Sequence, residues 1–119
     1  MTPCRPGDVI LVHFPFTSLR AAKKRPAVVI NGPDFSERNG DVVVMALTSV
    51  AQEDQAWALE DWKGAGLVKP TWIKPLLATL DLDLVAKRLG RLSTRDCRKV
   101  SEALRAAIAG EFLHRQTTG

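Results

Sequence analysis

Three consecutive cations, Lys23, Lys24 and Arg25, stand directly before a proline and a strongly apolar run. A second apolar run, residues 41–49, carries Thr48 near its end. If the two runs form neighbouring antiparallel strands, the start of one lies beside the end of the other, which brings Arg25 close to Thr48. A guanidinium group is a planar fork of permanent positive charge, and a hydroxyl adds one more donor, so this pair suits a phosphate group. On spacing alone, Arg25 can also be a solvated surface cation and Thr48 an ordinary strand residue.

Other familiar chemistry has few candidate residues in this chain. The sequence contains no Gly-x-Ser-x-Gly elbow, no phosphate-binding glycine loop and no His-Glu-x-x-His pair. Its only histidines are His13 and His114, so we expect neither a metal site nor a Ser-His-Asp hydrolase. Cys4 and Cys97 lack the spacing of metal ligands, and we expect both to be reduced thiols.

The elements that must position Arg25 and Thr48 are mainly strands. Runs rich in β-branched and apolar residues predict strands over 7–14, 25–31, 41–49, 56–62 and 68–80. The last of these contains two prolines, which indicates an edge or bent strand. We expect a helical turn followed by a short strand over 81–92, and loops over 17–24 and 32–40, because turn-forming residues are dense there.

The C-terminal part has the pattern of an amphipathic helix. Ser93 and Asp96 have nearly the spacing of a capping box, and Gly110 suits a helix C-terminus. Between them, apolar residues recur at helical spacing, which predicts a helix from Ser93 to Ala109. Several strands followed by one helix predict a single, mainly β domain over residues 1–119, built as a small antiparallel barrel or curled sheet with the helix packed on it.

Charge is distributed unevenly along the 119 residues. Residues 1–40 and 84–119 carry net charges of +3 and +5, whereas residues 41–83 carry −4. Basic faces favour polyanions such as nucleic acid, although a solvated basic surface without a partner gives the same pattern. No apolar run reaches 18 residues, and the N-terminus lacks the design of a signal peptide. We therefore expect a cytoplasmic protein with no membrane partner.

Five motifs in order resemble the MazF/PemK family, the toxins of bacterial type II toxin–antitoxin modules. They are "GDVILVHFPFT", "KKRPAVVIN", "VVVMALTS", "LATLD" and "AKRLGRLS", followed by the final helix. The resemblance implies an SH3-like antiparallel barrel, a homodimer, and a sequence-specific endoribonuclease that cuts single-stranded RNA without a metal ion or cofactor. In this family the 2′-hydroxyl attacks the adjacent phosphate, and Arg25 and Thr48 match the catalytic pair.

Further residues enter as candidates for RNA contact. The loop cations Arg20, Lys23 and Lys24 can line the RNA path, Phe16 can support a base, and His13 is a conceivable general base. Some family members carry an Arg-x-Asp pair before the "TLD" stretch, where this chain has Ile73, Lys74 and Pro75. The acid is therefore missing here, and we expect Lys74 to contact the RNA backbone instead.

The resemblance also implies a protein partner, a cognate antitoxin whose acidic tail covers the RNA groove. A basic groove attracts such a tail for the same reason that it attracts RNA. Two other functions stay open from the sequence: a toxin of the same fold that binds a protein such as DNA gyrase, and an inactive RNA- or protein-binding module. Trp57, Trp62 and Trp72 suit the core or a dimer interface.

Overall fold

The structure is a computed structural model, and it describes residues 4–14 and 23–110. Five strands form one sheet in the order β4-β3-β2-β1-β5, and each neighbouring pair is antiparallel. The strands are β1 (Asp8–His13), β2 (Lys24–Val29), β3 (Asp41–Thr48), β4 (Trp72–Asp81) and β5 (Val85–Arg91). The helices are α1 (Pro33–Asn39) and α2 (Thr94–Ile108), with short 3₁₀ turns at Gln55–Trp57 and Leu82–Leu84.

The sheet is strongly curled, and chain connectivity requires this. Strands β4 and β5 lie at opposite edges of the sheet, yet only Leu82–Leu84 separates them in sequence. Four Cα-to-Cα steps span at most about 15 Å, whereas four strand spacings in a flat sheet require about 19 Å. Register shifts in the β1–β5 and β3–β4 pairings add local bends. The predicted fold class is confirmed: a barrel-like antiparallel sheet with a C-terminal helix, left open between β4 and β5.

The two faces of the sheet bury two apolar clusters, because side chains alternate along each strand. One cluster fills the inside of the curl and includes Ile10 and Val12 of β1 with Val42 and Val44 of β3. The other lies beneath α2 and joins sheet residues to helix residues: Val9, Val28, Met45, Leu47, Ile73, Val100 and Ala103. Residues 27–29 of β2 and most of β3 are buried on both faces, whereas the strand ends that carry Arg25 and Thr48 are only partly buried.

Two predictions about local structure are wrong. Residues 32–40 are not a loop, because α1 occupies most of them, with Pro33 in its first turn and Gly40 in the left-handed conformation that ends it. Residues 56–62 are not a strand, since a 3₁₀ turn ends at Trp57 and only Ala58 makes a single bridge, to Trp72. The helical turn and strand expected over 81–92 are confirmed.

Helix α2 agrees closely with its prediction, but Asp96, the acid of the predicted capping box, bonds to a different part of the chain. The Ser93 hydroxyl accepts the Asp96 backbone N–H at 3.3 Å, as a cap should. The Asp96 carboxylate, which is fully buried, reaches outside the helix and accepts the backbone N–H groups of Glu60 and Asp61 at 3.0 and 2.8 Å. This contact fastens the chain between β3 and β4 to the start of α2.

A second set of contacts holds the same segment from the side. Asp61 accepts two hydrogen bonds from the Arg95 guanidinium at 2.7 and 2.8 Å and one from the Ser93 hydroxyl at 2.6 Å. These bonds, from Arg95 above all, hold the pKa of Asp61 well below its usual value. Gly66 adopts a positive φ of 85° and packs against Leu89, where an added Cβ would lie 2.1 Å from the carbonyl oxygen. The segment that leads into residues 67–71 is therefore tightly fixed.

Candidate active site

Strand pairing brings Arg25 and Thr48 together. The β2–β3 register pairs Val28 with Met45 and Ala27 with Ala46. The paired residues end at Ala27 and Ala46, and the same register extended by two residues would set Arg25 opposite Thr48.

Arg25 and Thr48 line the same pocket, a cavity of about 330 Å³ at this end of the sheet. Four of its lining residues are cations: Lys23, Lys24, Arg25 and Lys69. Among the described residues that line it, none is Asp or Glu. The pocket therefore has a strongly positive potential, which suits an anionic ligand.

The Arg25 guanidinium is only partly exposed at the pocket. Its Nε is buried and has no hydrogen-bond partner within residues 4–14 and 23–110. A buried donor without a partner carries an uncompensated desolvation cost. Arg25 lines the cavity, where its guanidinium group can donate to a phosphate oxygen.

The Thr48 hydroxyl is already oriented by its own turn. Its oxygen accepts the Val50 backbone N–H at 3.1 Å. That bond occupies a lone pair and leaves the hydroxyl proton available for donation to a ligand. Two more hydroxyls line the cavity, on Ser49 and Thr71.

Apolar side chains form the rest of the wall: Pro26, Leu47, Val50, Leu67 and Val68. Val50 and Val68 are exposed, at 68% and 89% of their surface. Cations and aliphatic groups thus face the same cavity of about 330 Å³. The combination suits a ligand that carries both negative charge and an apolar group.

Comparison with known families identifies the fold and class. Residues 5–108 match the sequence model of the family described as PemK-like, MazF-like toxin of type II toxin-antitoxin system. The chain belongs to this family. It is therefore a toxin of the PemK and MazF type, and the resemblance seen in the sequence is confirmed.

Solved structures of similar fold agree with the family assignment. MazF from Deinococcus radiodurans is 16% identical, with a TM-score of 0.72 over 92% of this chain and 100% of that one. The MazE-MazF complex from the same organism is 15% identical, with a TM-score of 0.73 over 91% and 98%. An endoribonuclease in complex with its cognate antitoxin, from a mycobacterial species, is 18% identical, with a TM-score of 0.69 over 92% and 96%. At these identities the likeness establishes the fold alone.

A search of curated proteins finds no significant match to the toxin. Within the described residues, no helix is long and apolar enough to cross a membrane. The same part of the chain contains no group of three or more His, Cys, Asp or Glu side chains arranged to hold a metal ion.

Of the remaining candidate residues of the toxin, some line the pocket and others do not. Lys23 and Lys24 line the pocket beside Arg25. His13 is not among the residues that line it. Lys74 lies elsewhere, as described next. Phe16 and Arg20 lie outside the described residues.

Lys74 lies in an irregular part of β4. Met45 pairs with Leu77 and Leu47 with Ile73, so three β4 residues, 74–76, face the single residue Ala46. Pro75 fits such a bulge at a sheet edge, since it has no N–H to donate. Lys74 is exposed there and is not among the residues that line the pocket.

Sequence reasoning missed Lys69, Thr71, Val50 and Val68. Thr71 is buried, and its hydroxyl donates to the Lys69 carbonyl at 2.8 Å, which fixes the turn that presents Lys69 to the cavity. The segment "VKPT" was predicted as the start of a strand, so nothing in its pattern pointed to a pocket wall. Only the curl of the sheet brings it opposite the cations of β2.

The cysteines and tryptophans have structural surroundings. Cys4 and Cys97 are free thiols, as predicted, and burial raises the pKa of each. Trp57 and Trp62 pack against the core beneath α2. Trp72 pairs with Thr48 across β3 and β4, and its indole N–H is buried without a partner in the described ranges.

Proposed function

We propose that the toxin is an endoribonuclease that cleaves single-stranded RNA in the pocket containing Arg25 and Thr48. One observation carries this proposal: a guanidinium and an oriented hydroxyl line the same cationic cavity, and no described lining residue is acidic. The family and the endoribonuclease among its structural relatives support it.

The proposed reaction is attack of the RNA 2′-oxygen on the adjacent phosphorus. The bond from phosphorus to the 5′-oxygen breaks, which leaves a 2′,3′-cyclic phosphate and a free 5′-hydroxyl. The 2′-hydroxyl loses its proton and the departing 5′-oxygen gains one. Negative charge grows on the non-bridging oxygens, where Arg25 stabilises it and Thr48 donates a hydrogen bond. Removal of one such donor typically costs about 2.7–4 kcal/mol of barrier.

Charge stabilisation is the main catalytic contribution in this proposal. A positioned general base contributes about 10²–10⁴-fold in enzymes that have one. The Asp of the Arg-x-Asp pair is replaced here by Pro75, and His13 is not among the residues that line the pocket. We therefore propose metal-independent cleavage that depends mainly on Arg25 and Thr48.

We also propose a cognate antitoxin as the protein partner, with an acidic segment that covers the pocket. One structural relative is an endoribonuclease in complex with its cognate antitoxin, and another is a complex of MazE and MazF. The four lining cations favour a segment rich in Asp and Glu for the reason that they favour RNA. The toxin would act as a cytoplasmic homodimer, and the single domain predicted over residues 1–119 stays a prediction.

Cleavage of a long RNA in the presence of EDTA tests the proposal. Mapped ends should fall at a repeated short sequence and carry a cyclic phosphate and a 5′-hydroxyl. Arg25→Ala should lower kcat/KM at least 100-fold, because charge stabilisation is lost. Thr48→Val should lower it by a similar order, whereas Thr48→Ser, which keeps the hydroxyl, should retain most activity.

Arg98→Ala is the matched control, since Arg98 is an exposed cation of α2 that does not line the pocket. It should cleave like the unmodified protein. Equal activity of Arg25→Ala and Arg98→Ala would contradict the proposed site. Intact RNA together with inhibition of DNA gyrase would instead support a toxin that binds a protein target.

A further inference from the structure

Two exposed valines stand at the mouth of the active-site pocket. Val50 follows β3 and Val68 precedes β4, and both line the cavity. They are the two most exposed large apolar side chains of the described residues, at 68% and 89%. Single exposed apolar residues are common on protein surfaces, but these two line the same pocket and are therefore placed to contact its ligand.

Hydrogen bonds fix both valines relative to the phosphate-binding groups. The Val50 N–H is bonded to the Thr48 hydroxyl, so Val50 lies one tight turn from that donor. Val68 stands between Leu67, whose N–H bonds the Trp62 carbonyl, and the turn closed by Thr71 on Lys69. The turn at Val50 and the backbone on both sides of Val68 are therefore held by hydrogen bonds.

We propose that Val50 and Val68 clamp a nucleobase next to the cleaved phosphate and determine which base the toxin accepts there. This inference rests on the proposed ribonuclease function. The cavity of about 330 Å³ lies near the lower end of the range of about 300–1,000 Å³ for small-ligand sites, so it suits one nucleotide. A nucleotide carries a negatively charged phosphate next to a flat base. The pocket wall offers cations for the phosphate and aliphatic side chains for the base.

No aromatic ring lines the cavity among the described residues, so the base packs between aliphatic groups. Aliphatic contact is proportional to the area covered and is weaker than aromatic stacking on a base. A purine covers more of the two valines than a pyrimidine does. The clamp therefore favours a purine at this position.

The test compares short RNA substrates that differ at the nucleosides on either side of the cleaved phosphate. One set carries each of the four bases, and one carries an abasic ribose at either position. The enzymes are the unmodified protein, Val50→Ala, Val68→Ala, the double variant, and Ile108→Ala as a control. Ile108 is 61% exposed at the end of α2, so its truncation tests a surface aliphatic group outside the pocket.

Each valine truncation removes two methyl groups and should lower kcat/KM about tenfold on the preferred substrate. At one of the two positions, the abasic ribose should lower kcat/KM for the unmodified protein but not for the double variant. Ile108→Ala should behave like the unmodified protein. The double variant should also accept purines and pyrimidines at that position with similar kcat/KM.

Two outcomes overturn the inference while leaving the proposed function intact. If the unmodified protein cleaves RNA and the double variant keeps the same base preference, the valines do not contact the base. If the double variant loses activity equally on the abasic and base-containing substrates, the valines support the fold or phosphate binding instead. Failure of the unmodified protein to cleave any RNA would contradict the proposed function itself, which separates the two.

Discussion

Replacing Asp96 with Asn tests whether one buried carboxylate fixes the segment that forms the pocket wall. Asp96 is fully buried at the start of α2, and its two oxygens accept the backbone N–H groups of Glu60 and Asp61. The Asn side chain has nearly the same shape but only one acceptor oxygen. One backbone N–H therefore loses its acceptor and lies beside the NH₂ group of the Asn side chain, which is itself a donor.

The expected loss of stability follows from the two hydrogen bonds that the Asp96 carboxylate accepts. Leaving one partly buried donor without an acceptor costs about 1–3 kcal/mol, and the remaining bond loses about 1 kcal/mol because its acceptor is no longer charged. Asp96→Asn should thus lower the free energy of unfolding by about 2–4 kcal/mol. This is a large share of the total of about 5–15 kcal/mol that holds a domain folded.

Urea unfolding measures the effect, and Asp34→Asn is the matched control. Asp34 is also an acid in the first turn of a helix, α1, but it is exposed. With a denaturant slope of about 2 kcal/mol per molar urea, Asp96→Asn should shift the midpoint down by about 1–2 M, and Asp34→Asn by less than about 0.3 M. Amide hydrogen exchange should show faster exchange at Glu60 or Asp61 in the Asp96 variant only.

Equal midpoints for the Asp96 and Asp34 variants would refute this account of the segment. So would a lowered midpoint with unchanged exchange at Glu60 and Asp61, because the loss would then arise elsewhere in α2. A lowered midpoint with local loss of protection is the expected pair of results.

Three further outcomes are expected. Gly66→Ala should lower the free energy of unfolding by roughly 3–6 kcal/mol, because the added Cβ would meet the Leu89 carbonyl and the φ at this position is positive. Gly40 also has a positive φ, but the space around it is open, so Gly40→Ala should cost only roughly 1–2 kcal/mol in the same urea titration. Because the pKa of Asp61 is lowered in the folded protein, its carboxylate stabilises the fold above about pH 4, and this stabilisation is lost as the pH falls through the folded pKa. The free energy of unfolding of Asp61→Asn should therefore change less between about pH 5 and pH 2 than that of the unmodified protein. An equal change in the two proteins would count against the hydrogen bonds from Arg95 and Ser93. Lys69→Ala should reduce the slope of log affinity for single-stranded RNA against log salt by about 0.7, measured by titration at several salt concentrations, and an unchanged slope would mean that Lys69 contacts no phosphate.

Local patterns predicted most of the secondary structure. The cap residue and the helical spacing after Ser93 predicted α2 within one residue at each end. The prediction for 32–40 was wrong because Gly32, Pro33 and Gly40 are typical of loops, although the same residues can begin and end a short helix. The prediction for 56–62 was wrong because alternation suggested a strand, while Asp54 caps a 3₁₀ turn just before it.

The candidate site was predictable only where it depended on neighbouring strands. Arg25 and Thr48 could be paired because consecutive strands commonly pair antiparallel, which converts a separation in sequence into a short distance in space. Lys69 and Val68 could not be found, since the segment that carries them is positioned by contacts with α2 and β5, far away in sequence.

By itself, the sequence of this toxin predicted most of its strands, the terminal helix, the family and the two residues that line the pocket where β2 begins and β3 ends. These properties depend on alternation, capping and motif order, which act over a few residues at a time. The tertiary structure alone decided that His13 and Lys74 stand apart from the pocket and that Asp96 anchors a distant segment. It also decided that Val50, Val68 and Lys69 complete the cavity, because the curl of a sheet and the contacts across it arise only when the whole chain is folded.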